Sequence, residues 1–413
     1  MSKEFEWERG FDRNRVLSQI KSIRHKDGRS FDAAGYSFWL PVLNSAIRAT
    51  RIAEPIKARC IAAAASDPSL TLTDPDTFLV RCDQEFQKLA QRPKSKFVLY
   101  TTITYAGPNP IDWISDDGAR IHWQPNQRGK FLRAARKAQS AQKDRRAASN
   151  VPTEDASQSP VLVHLSAYDP FDAFDRANDC VDRFRGMLNL LVNSGQSVNP
   201  FARMTAPHAV NKFRRGPFHS IHHPDGSLAT ETFWYEPRWA HTARSVEFKD
   251  PANYRNSIQR WWSTFQKNPM RHFISDALLR YCRALDLHEA DAALLGIWQV
   301  LEKLMGTDRY DLLIDRLVRI FRDHDDARLI AAHIRLRRNQ TVHSAHSISK
   351  EADAILVQAE MLAGQVIFFL LRNAKQFQNL GEFHEFLDLP LDQDRLRRRQ
   401  KLSEFFIKYQ NRT

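Results

Sequence analysis

Cysteine is scarce in this chain and long apolar runs are absent. These two shortages argue against a disulfide-rich protein, a cysteine-based metal site and a membrane-spanning helix. The four cysteines, Cys60, Cys82, Cys180 and Cys282, show no paired spacing of the kind that forms a metal knuckle or a disulfide framework. The apolar run Val366–Leu371 is too short to cross a bilayer, which requires about 20 residues. The charged amino terminus lacks the apolar core of a secretory signal. We therefore expect a soluble protein of the reducing cytoplasm.

Several familiar catalytic motifs are also missing. The sequence contains no glycine-rich phosphate loop of the Walker type, no dinucleotide fingerprint and no Gly-x-Ser-x-Gly nucleophile elbow. His222 and His223 are adjacent, and adjacent residues of a strand point to opposite faces, so the two imidazoles cannot easily share a metal ion. We expect no cofactor and no bound metal.

Positive charge is what the chain has in excess. It contains 61 Lys and Arg residues against 48 Asp and Glu residues, which gives a net charge of +13 and a pI near 9.7. A surplus of that size attracts polyanions, and nucleic acid is the leading partner class. A hydrophobic fraction of 42% with 26% charged residues is typical of a globular protein. The length of 413 residues predicts about two or three domains.

The apolar periodicity predicts a multidomain α+β protein that is mainly α. Residues 1–155 are expected to form an amino-terminal helical region with a strand and a basic linker, and residues 156–250 a mixed α/β region that includes a helix at Asp169–Asn193. The predicted strands are Phe97–Tyr105, Val161–Ala167, Pro217–His223 and Thr232–Trp239. Residues 251–413 are helical in pattern almost throughout. We therefore predict a carboxyl-terminal all-α bundle that ends in a basic helix.

Two basic segments bear on the partner. Gln124–Pro160 is the best candidate for a linker or mobile loop; it is either an arm that contacts phosphates or a solvated helix and tail. The second segment, Arg395–Lys401, includes Arg397, Arg398 and Arg399 and precedes three aromatic residues. Such a combination can bind single-stranded RNA through phosphates and stacking. The alternative is a last amphipathic helix that docks on the bundle.

The most informative motif lies near the end of the predicted bundle. Arg338, Asn339 and His343 are close in sequence, between a helical pattern that ends near Arg338 and one that begins near Ser349. An arginine grips phosphate oxygens and a histidine moves protons near neutral pH, so the run predicts a phosphate site at a helix-to-helix junction. Arg335 and Arg337 are candidates for binding the RNA. Alternatively, Arg338 and these two neighbours only complement a helix dipole, and the histidine belongs to a surface loop.

These residues resemble the HEPN superfamily of helical ribonucleases. That family carries an arginine, usually followed by a polar residue, and then a histidine after a gap of four to six residues, between two helices of an all-helical domain. The segment Ile297–Leu304, with Glu302 inside an apolar helix, is similar in particular to HEPN domains of the ApeA type. The resemblance covers roughly residues 253–389. Ser344 stands where relatives often have a glycine.

The resemblance implies metal-independent cleavage of RNA through the substrate's own 2′-hydroxyl. His343 would move the protons, Arg338 would stabilise the charge on phosphorus, and Asn339 would orient the phosphate or the imidazole. Glu302 is a supporting candidate that would pair with Arg338, and His346 could assist; the alternatives are an exposed helix carboxylate and a solvent-facing histidine. Because one histidine cannot easily be both base and acid, and because HEPN domains pair two motifs across a dimer, we expect a homodimer with a composite site.

The family also suggests a biological context. HEPN nucleases act in prokaryotic anti-phage defence, including abortive infection, and in stress responses, and the region before residue 251 would then sense a trigger or restrain the nuclease. Some HEPN-like bundles bind RNA or organise assemblies without cutting. A purely structural interaction protein is a third hypothesis, and it would show no salt-dependent affinity for RNA.

Overall fold

The computed structural model describes residues 4–49, 52, 54–105, 107–109, 111–124, 128–141, 158–193, 209–232, 234–236, 239, 248, 250–343 and 352–410. The fold class predicted from the sequence is confirmed, because a mixed α/β region precedes a carboxyl-terminal helical region. The chain forms two compact units: unit 1 is Met1–Phe97 with Leu165–Arg176, and unit 2 is Val98–His164 with Ala177–Thr413. These units do not follow the three ranges suggested by the sequence.

Unit 1 is mainly helical. Its elements are β1 Phe5–Trp7, α1 Arg13–Ser22, α2 Ala33–Ser45, β2 Ile47–Ala49, α3 Glu54–Ala65 and α4 Pro75–Gln91. Strands β1 and β2 pair antiparallel, with Phe5 opposite Ala49. Asp74 caps α4 by accepting a hydrogen bond from the backbone of Asp76, and Pro75 fits the first turn, where a backbone N–H would have no helical partner. The apolar faces of the helices enclose a core that contains Leu17, Ile61 and Phe78.

A six-stranded sheet in the order β4-β5-β6-β3-β7-β8 precedes the bundle. Its strands are β3 Ser95–Thr104, β4 Trp113–Asp116, β5 Ala119–Trp123, β6 Gln158–Ala167, β7 Phe218–His222 and β8 Trp234–Tyr235. The β4/β5, β5/β6, β3/β7 and β7/β8 pairs are antiparallel. Three of the four predicted strands are confirmed nearly in full, as β3, β6 and β7. The fourth contains only the two-residue β8.

Part of the first half of the predicted linker is a helix, which agrees with the alternative of a helix and tail. Arg128–Ala141 forms helix α5, and Phe131 and Ala135, four residues apart, are buried against Val98, Tyr100 and Leu162. Two apolar positions one helical turn apart are enough to hold a basic helix on the sheet, because the charged side chains between them reach water. The rest of the predicted linker falls largely in residues 142–157, outside the described residues.

The remaining helices are the one predicted at Asp169–Asn193, which is α6, and those of the predicted bundle. They are α6 Pro170–Asn193, α7 Pro251–Gln266, α8 Arg271–Leu285, α9 Ala290–Met305, α10 Tyr310–Val318, α11 His324–His343, α12 Ala352–Arg372, α13 Leu380–Leu387 and α14 Gln393–Gln410. Helix α9 packs on α8 and α12, and α11 packs on α10 and α12. Within α12, the window Asp353–Arg372 has a mean hydropathy of 1.9 and is long enough to cross a membrane, but 67% of it is buried. That burial is typical of a core helix.

One boundary in the bundle differs from the prediction, and it matters for the motif. Helix α11 continues through Arg338 and ends at His343. The sequence pattern seemed to end earlier because the last turn, from Gln340 onward, carries little apolar periodicity. Arg338 and Asn339 therefore lie within a helix, not at a junction, and only the residues after His343 belong to the connection toward α12.

Candidate functional site

Three helices, α9, α10 and α11, position the side chains around Arg338. Helix α9 ends at Gly306, which adopts the left-handed conformation with φ of 64°, a geometry that glycine reaches at little cost. The reversal lets α10 begin at Tyr310 beside the carboxyl end of α9. Helix α11 then packs on both α9 and α10. The motif is thus carried by the third helix, and its partners come from the first two.

Arg338 is half-buried and is held by two neutral groups. Its Nη1 donates a short hydrogen bond to the hydroxyl of Tyr310, and it lies 3.3 Å from Oδ1 of Asn339. The guanidinium carbon is 5.3 Å from the centre of the Tyr310 ring, which is within the range of a cation–π interaction. The tyrosine therefore positions Arg338 through both its hydroxyl and its ring.

Tyr310 also receives a second arginine. The Arg335 guanidinium is 4.9 Å from the same ring, and residues three apart share one face of a helix. Arg335 in addition forms an ion pair of 2.8 Å with Asp311. One aromatic side chain at the start of α10 thus contacts two guanidinium groups of α11.

The last three of the four arginines of this helix differ in their acidic partners. Arg335 pairs with Asp311, and Arg337 pairs with Asp291 at 3.0 Å. Arg338 forms no ion pair with a carboxylate in the part of the chain that the structure describes. Among the described residues, no carboxylate neutralises its charge, which leaves it able to attract an anion.

Arg338 also has a buried hydrogen-bond donor. Nε of Arg338 is shielded from solvent and has no hydrogen-bond partner among the described residues. Buried donors without acceptors are uncommon and costly in native structures, and water or a bound group often satisfies them. Within the described part of the chain, the guanidinium thus lacks a carboxylate partner and one hydrogen-bond acceptor.

Glu302 does not pair with Arg338, which corrects the role proposed from the sequence. Within the described residues, it accepts a hydrogen bond of 2.7 Å from Nε1 of Trp298, one turn earlier in α9. The Trp298 ring lies 5.9 Å from the ring of Tyr310. Glu302 therefore reaches the site only indirectly, by fixing the indole that packs against the tyrosine.

The two histidines of the motif have different positions. His343 is the last residue of α11, four residues after Asn339, and that spacing places the two residues on one side of a helix. Its side chain is outside the described part of the structure. His346 falls in residues 344–351, which are also outside it. Their predicted roles remain predictions.

The second basic cluster forms a separate surface. Arg397, Arg398 and Arg399 lie on α14, which has no buried residue along its 18 residues. Arg397 is 3.6 Å from Asp394, and no hydrogen bond or ion pair links the described part of this helix to the residues around Arg338. The exposure of residues 393–410 disfavours the alternative in which this helix docks on the bundle.

Sequence reasoning missed the residues that hold Arg338. Tyr310, Asp291 and Asp311 are not among the predicted site residues, and Trp298 belongs to the segment Ile297–Leu304 without a predicted role of its own. Both aspartates lie in the first turn of their helices, where a carboxylate also complements the helix dipole. A charge-pattern search pairing these acidic first turns with the arginines of α11 could have found them.

Within the described residues, no group of three or more His, Cys, Asp or Glu side chains is placed to hold a metal ion. In comparisons with protein-family models, curated proteins and solved structures, no match to this chain was found.

Proposed function

We propose that this protein is a metal-independent endoribonuclease of the HEPN type, with Arg338, Asn339 and His343 as its catalytic residues. The observation that carries the proposal is the state of Arg338. It is a positioned, half-buried guanidinium held by Tyr310 and Asn339 without a carboxylate partner in the described structure, on the helix that ends at His343. A charged donor of this kind suits the phosphate of a reacting RNA chain.

The proposed reaction uses atoms that RNA itself supplies. A base removes the proton of the 2′-hydroxyl, whose oxygen forms a bond to the adjacent phosphorus. The bond from phosphorus to the 5′-oxygen of the next nucleotide breaks, and an acid protonates that leaving oxygen. The products are a 2′,3′-cyclic phosphate and a 5′-hydroxyl. Arg338 stabilises the extra negative charge on the phosphoryl oxygens during this exchange.

The reaction needs both a base and an acid, and this need is the reason to propose a dimer. His343 has the chemistry of a base or an acid near neutral pH, but one imidazole does not easily fill both roles in a single step. A second copy of the chain would bring a second His343 to a shared site. We therefore propose a homodimer in which the motif described above is one half of the active site, and a cytoplasmic role in prokaryotic anti-phage defence or stress response.

The experiment is an RNA cleavage assay in the presence of a chelator. Purified full-length protein and its His343→Ala variant are incubated with total RNA and EDTA, and the fragment ends are identified chemically. We expect cyclic phosphate ends from the unsubstituted protein alone, with dimer and RNA affinity unchanged in the variant. RNA left intact by both proteins, under several conditions and triggers, would contradict the proposal.

A second function is favoured by α14. This helix exposes Arg397, Arg398 and Arg399 followed by Phe405 and Tyr409, whose rings are stacked at 6.4 Å. Exposed guanidinium groups with neighbouring aromatic rings are typical of surfaces that bind single-stranded RNA. The second candidate is therefore a non-catalytic HEPN-like RNA-binding or assembly module. In that case His343→Ala would change no activity, whereas loss of the α14 charges would remove RNA binding.

A further inference from the structure

Four side chains share one face of the six-stranded sheet near its β4 edge. Trp113 of β4 is directly opposite His122 of β5, and Arg120 of β5 is directly opposite His164 of β6. Arg120 and His122 are two residues apart in one strand, and opposite residues of paired strands point to the same side, so all four are neighbours on that side. The two imidazole rings agree with this placement, since their centres are 5.2 Å apart.

Helix α5 packs on the adjoining part of this face, and the β4 edge stays exposed. Phe131 of α5 is buried against Leu162 of β6, and its ring lies 6.5 Å from the ring of His164. Trp113 is 50% exposed, and Arg120 and His164 are exposed as well. The open surface beside α5, here called the β4–β6 shelf, consists of Trp113, Arg120, His122 and His164.

Positive charge predominates around the shelf. Helix α5 contains five Lys and Arg residues and no acidic residue. The strands β4, β5 and β6 contain one acid, Asp116, which is 1% exposed and pairs with Arg183 at 2.7 Å. Two exposed acids, Asp112 and Asp117, lie outside the strands at the two ends of β4. Arg120 and the cations of α5 therefore outnumber the exposed acids, and the surface suits a polyanion.

The polar groups of the shelf are open to a ligand. Among the described residues, neither the Arg120 guanidinium nor the imidazoles of His122 and His164 have a hydrogen bond or an ion pair. Partial burial lowers the pKa of His164 to about 4, and the charges of His122, Arg120 and Lys130 lower it further. Burial and then the charge of Arg120 also lower the pKa of His122. Both rings are thus neutral near pH 7, and each has one donor and one acceptor.

We propose that the β4–β6 shelf binds single-stranded RNA. Trp113 offers a half-exposed ring on which a base can stack. The guanidinium carbon of Arg120 is 4.7 Å from the centre of that ring, so its charge lies beside the stacked base, where the RNA backbone passes. His122 and His164 can exchange hydrogen bonds with the polar edges of unpaired bases. The proposal rests on the proposed function only for the choice of RNA, since binding does not require cleavage.

Fluorescence anisotropy of the full-length protein with a labelled 2′-O-methyl oligouridine of about 12 nucleotides tests the shelf. This strand lacks the 2′-hydroxyl that the proposed reaction needs, so binding is measured whether or not the protein cleaves RNA. We expect it to bind more tightly than its duplex with a complementary strand, in which the base faces are hidden. Trp113→Ala should weaken binding by about 5- to 100-fold, and Trp113→Phe should keep most of the affinity because it keeps an aromatic face.

A second variant removes the charge and leaves the tryptophan ring in place. In Arg120→Gln the affinity should fall, and the slope of its logarithm against the logarithm of salt concentration should shrink by about 0.7. Arg260 is a matched control, because it is also exposed and its guanidinium carbon lies 5.0 Å from the centre of the Trp261 ring. Arg260→Gln should bind the strand as the unsubstituted protein does.

An oligoglutamate peptide of equal charge distinguishes RNA from an acidic protein segment, and we expect it to displace the labelled strand poorly. The proposal is overturned if Trp113→Ala, with an unchanged circular dichroism spectrum, binds the strand as tightly as before. It is also overturned if Arg120→Gln and Arg260→Gln lose equal affinity, or if the peptide displaces the strand as well as unlabelled RNA does.

Discussion

The Arg338 guanidinium donates a hydrogen bond to the hydroxyl of Tyr310 and lies 5.3 Å from the centre of the same ring. The tyrosine therefore fixes the arginine by two different interactions, and neither cancels its positive charge. A carboxylate in this place would also hold the side chain, but it would neutralise the charge that a phosphate needs. Tyr310 thus positions Arg338 without neutralising it, and the proposed chemistry requires the arginine to keep its charge.

The first prediction concerns Tyr310. Tyr310→Phe keeps the ring near Arg335 and Arg338 but removes the hydroxyl acceptor, so we expect cleavage to slow by about tenfold and stability to fall by about 1 kcal/mol. Tyr310→Ala removes the ring as well and should be clearly worse in both respects. Rates in EDTA and urea unfolding curves measure the two effects. Full activity in both variants would show that the tyrosine does not position Arg338.

The second prediction concerns the exposed helix α14. Replacing Arg397, Arg398 and Arg399 by glutamine should leave the fold intact, because α14 has no buried residue. RNA affinity should fall, and the slope of its logarithm against the logarithm of salt concentration should shrink by about 0.7 for each lost phosphate contact. Fluorescence anisotropy with a labelled single strand measures both quantities.

The control for α14 is a second triple variant with the same loss of charge. Lys21, Lys26 and Arg29 are exposed residues of unit 1. Their replacement by glutamine should reduce affinity much less than the α14 substitutions do. Equal losses in the two triple variants would indicate that only net charge, and not α14, attracts RNA.

The third prediction concerns the buried carboxylate of Asp182. It accepts hydrogen bonds of 2.6 Å from Arg185 and 2.9 Å from Arg283. Burial would raise its pKa, but Arg215, Arg185 and Arg283 together hold the pKa below its ordinary value. Asp182→Ala leaves buried positive charge behind and should destabilise the protein by about 3–5 kcal/mol in urea unfolding.

Because that pKa is depressed, the contribution of Asp182 is present above the pKa of the unfolded chain and is lost as pH falls through the folded value. Asp276 offers a matched control, since its pairs with Arg280 and Lys303 are partly exposed to solvent, whereas Asp182 is fully buried. Asp276→Ala should cost less than about 1 kcal/mol. Similar losses from the two substitutions would contradict the importance of the buried network.

The fourth prediction concerns a buried acid between α8 and α12. Glu360 is 2% exposed and accepts a short hydrogen bond from the hydroxyl of Tyr281. Burial raises the pKa of Glu360 from 4.5 to about 7, and the hydrogen bond opposes that rise only partly. The folded protein therefore holds this proton more tightly than the unfolded chain does.

The sign of the pH effect follows from that difference. The stabilising contribution of Glu360 is complete below the unfolded pKa and is lost as pH rises through about 7, by roughly 3 kcal/mol at most. Glu360→Gln should remove this component from urea unfolding measured at about pH 5 and about pH 7.5. Glu385→Gln, at an exposed position of α13, should keep it. A pH dependence unchanged by Glu360→Gln would show that this acid is not the group that titrates.

Much of the bundle could be predicted because its helices bury wide apolar stripes. The end of α11 could not be predicted, because its last turn carries little apolar periodicity. The unpredicted strands β1, β2, β4 and β5 contain only three to five residues, too few for alternation to stand out.

The residues of the candidate site also differ in whether the sequence alone could identify them. Arg338 and Asn339 could be singled out because they are neighbours in sequence within a short motif. Tyr310 is 28 residues away from Arg338, and nothing in its local sequence distinguishes it from other aromatic residues of the bundle. A contact of that kind becomes visible only when three helices have packed.

The most direct test of the proposed nuclease is the rate of RNA cleavage in EDTA by the unsubstituted protein, Arg338→Gln and the exposed control Arg322→Gln. Loss of a charged donor at the reacting phosphate should slow cleavage by about 100- to 1,000-fold, with the dimer and the circular dichroism spectrum unchanged. The control should cut at the unsubstituted rate. Cleavage by Arg338→Gln at the rate of the unsubstituted protein would contradict the assignment of this arginine.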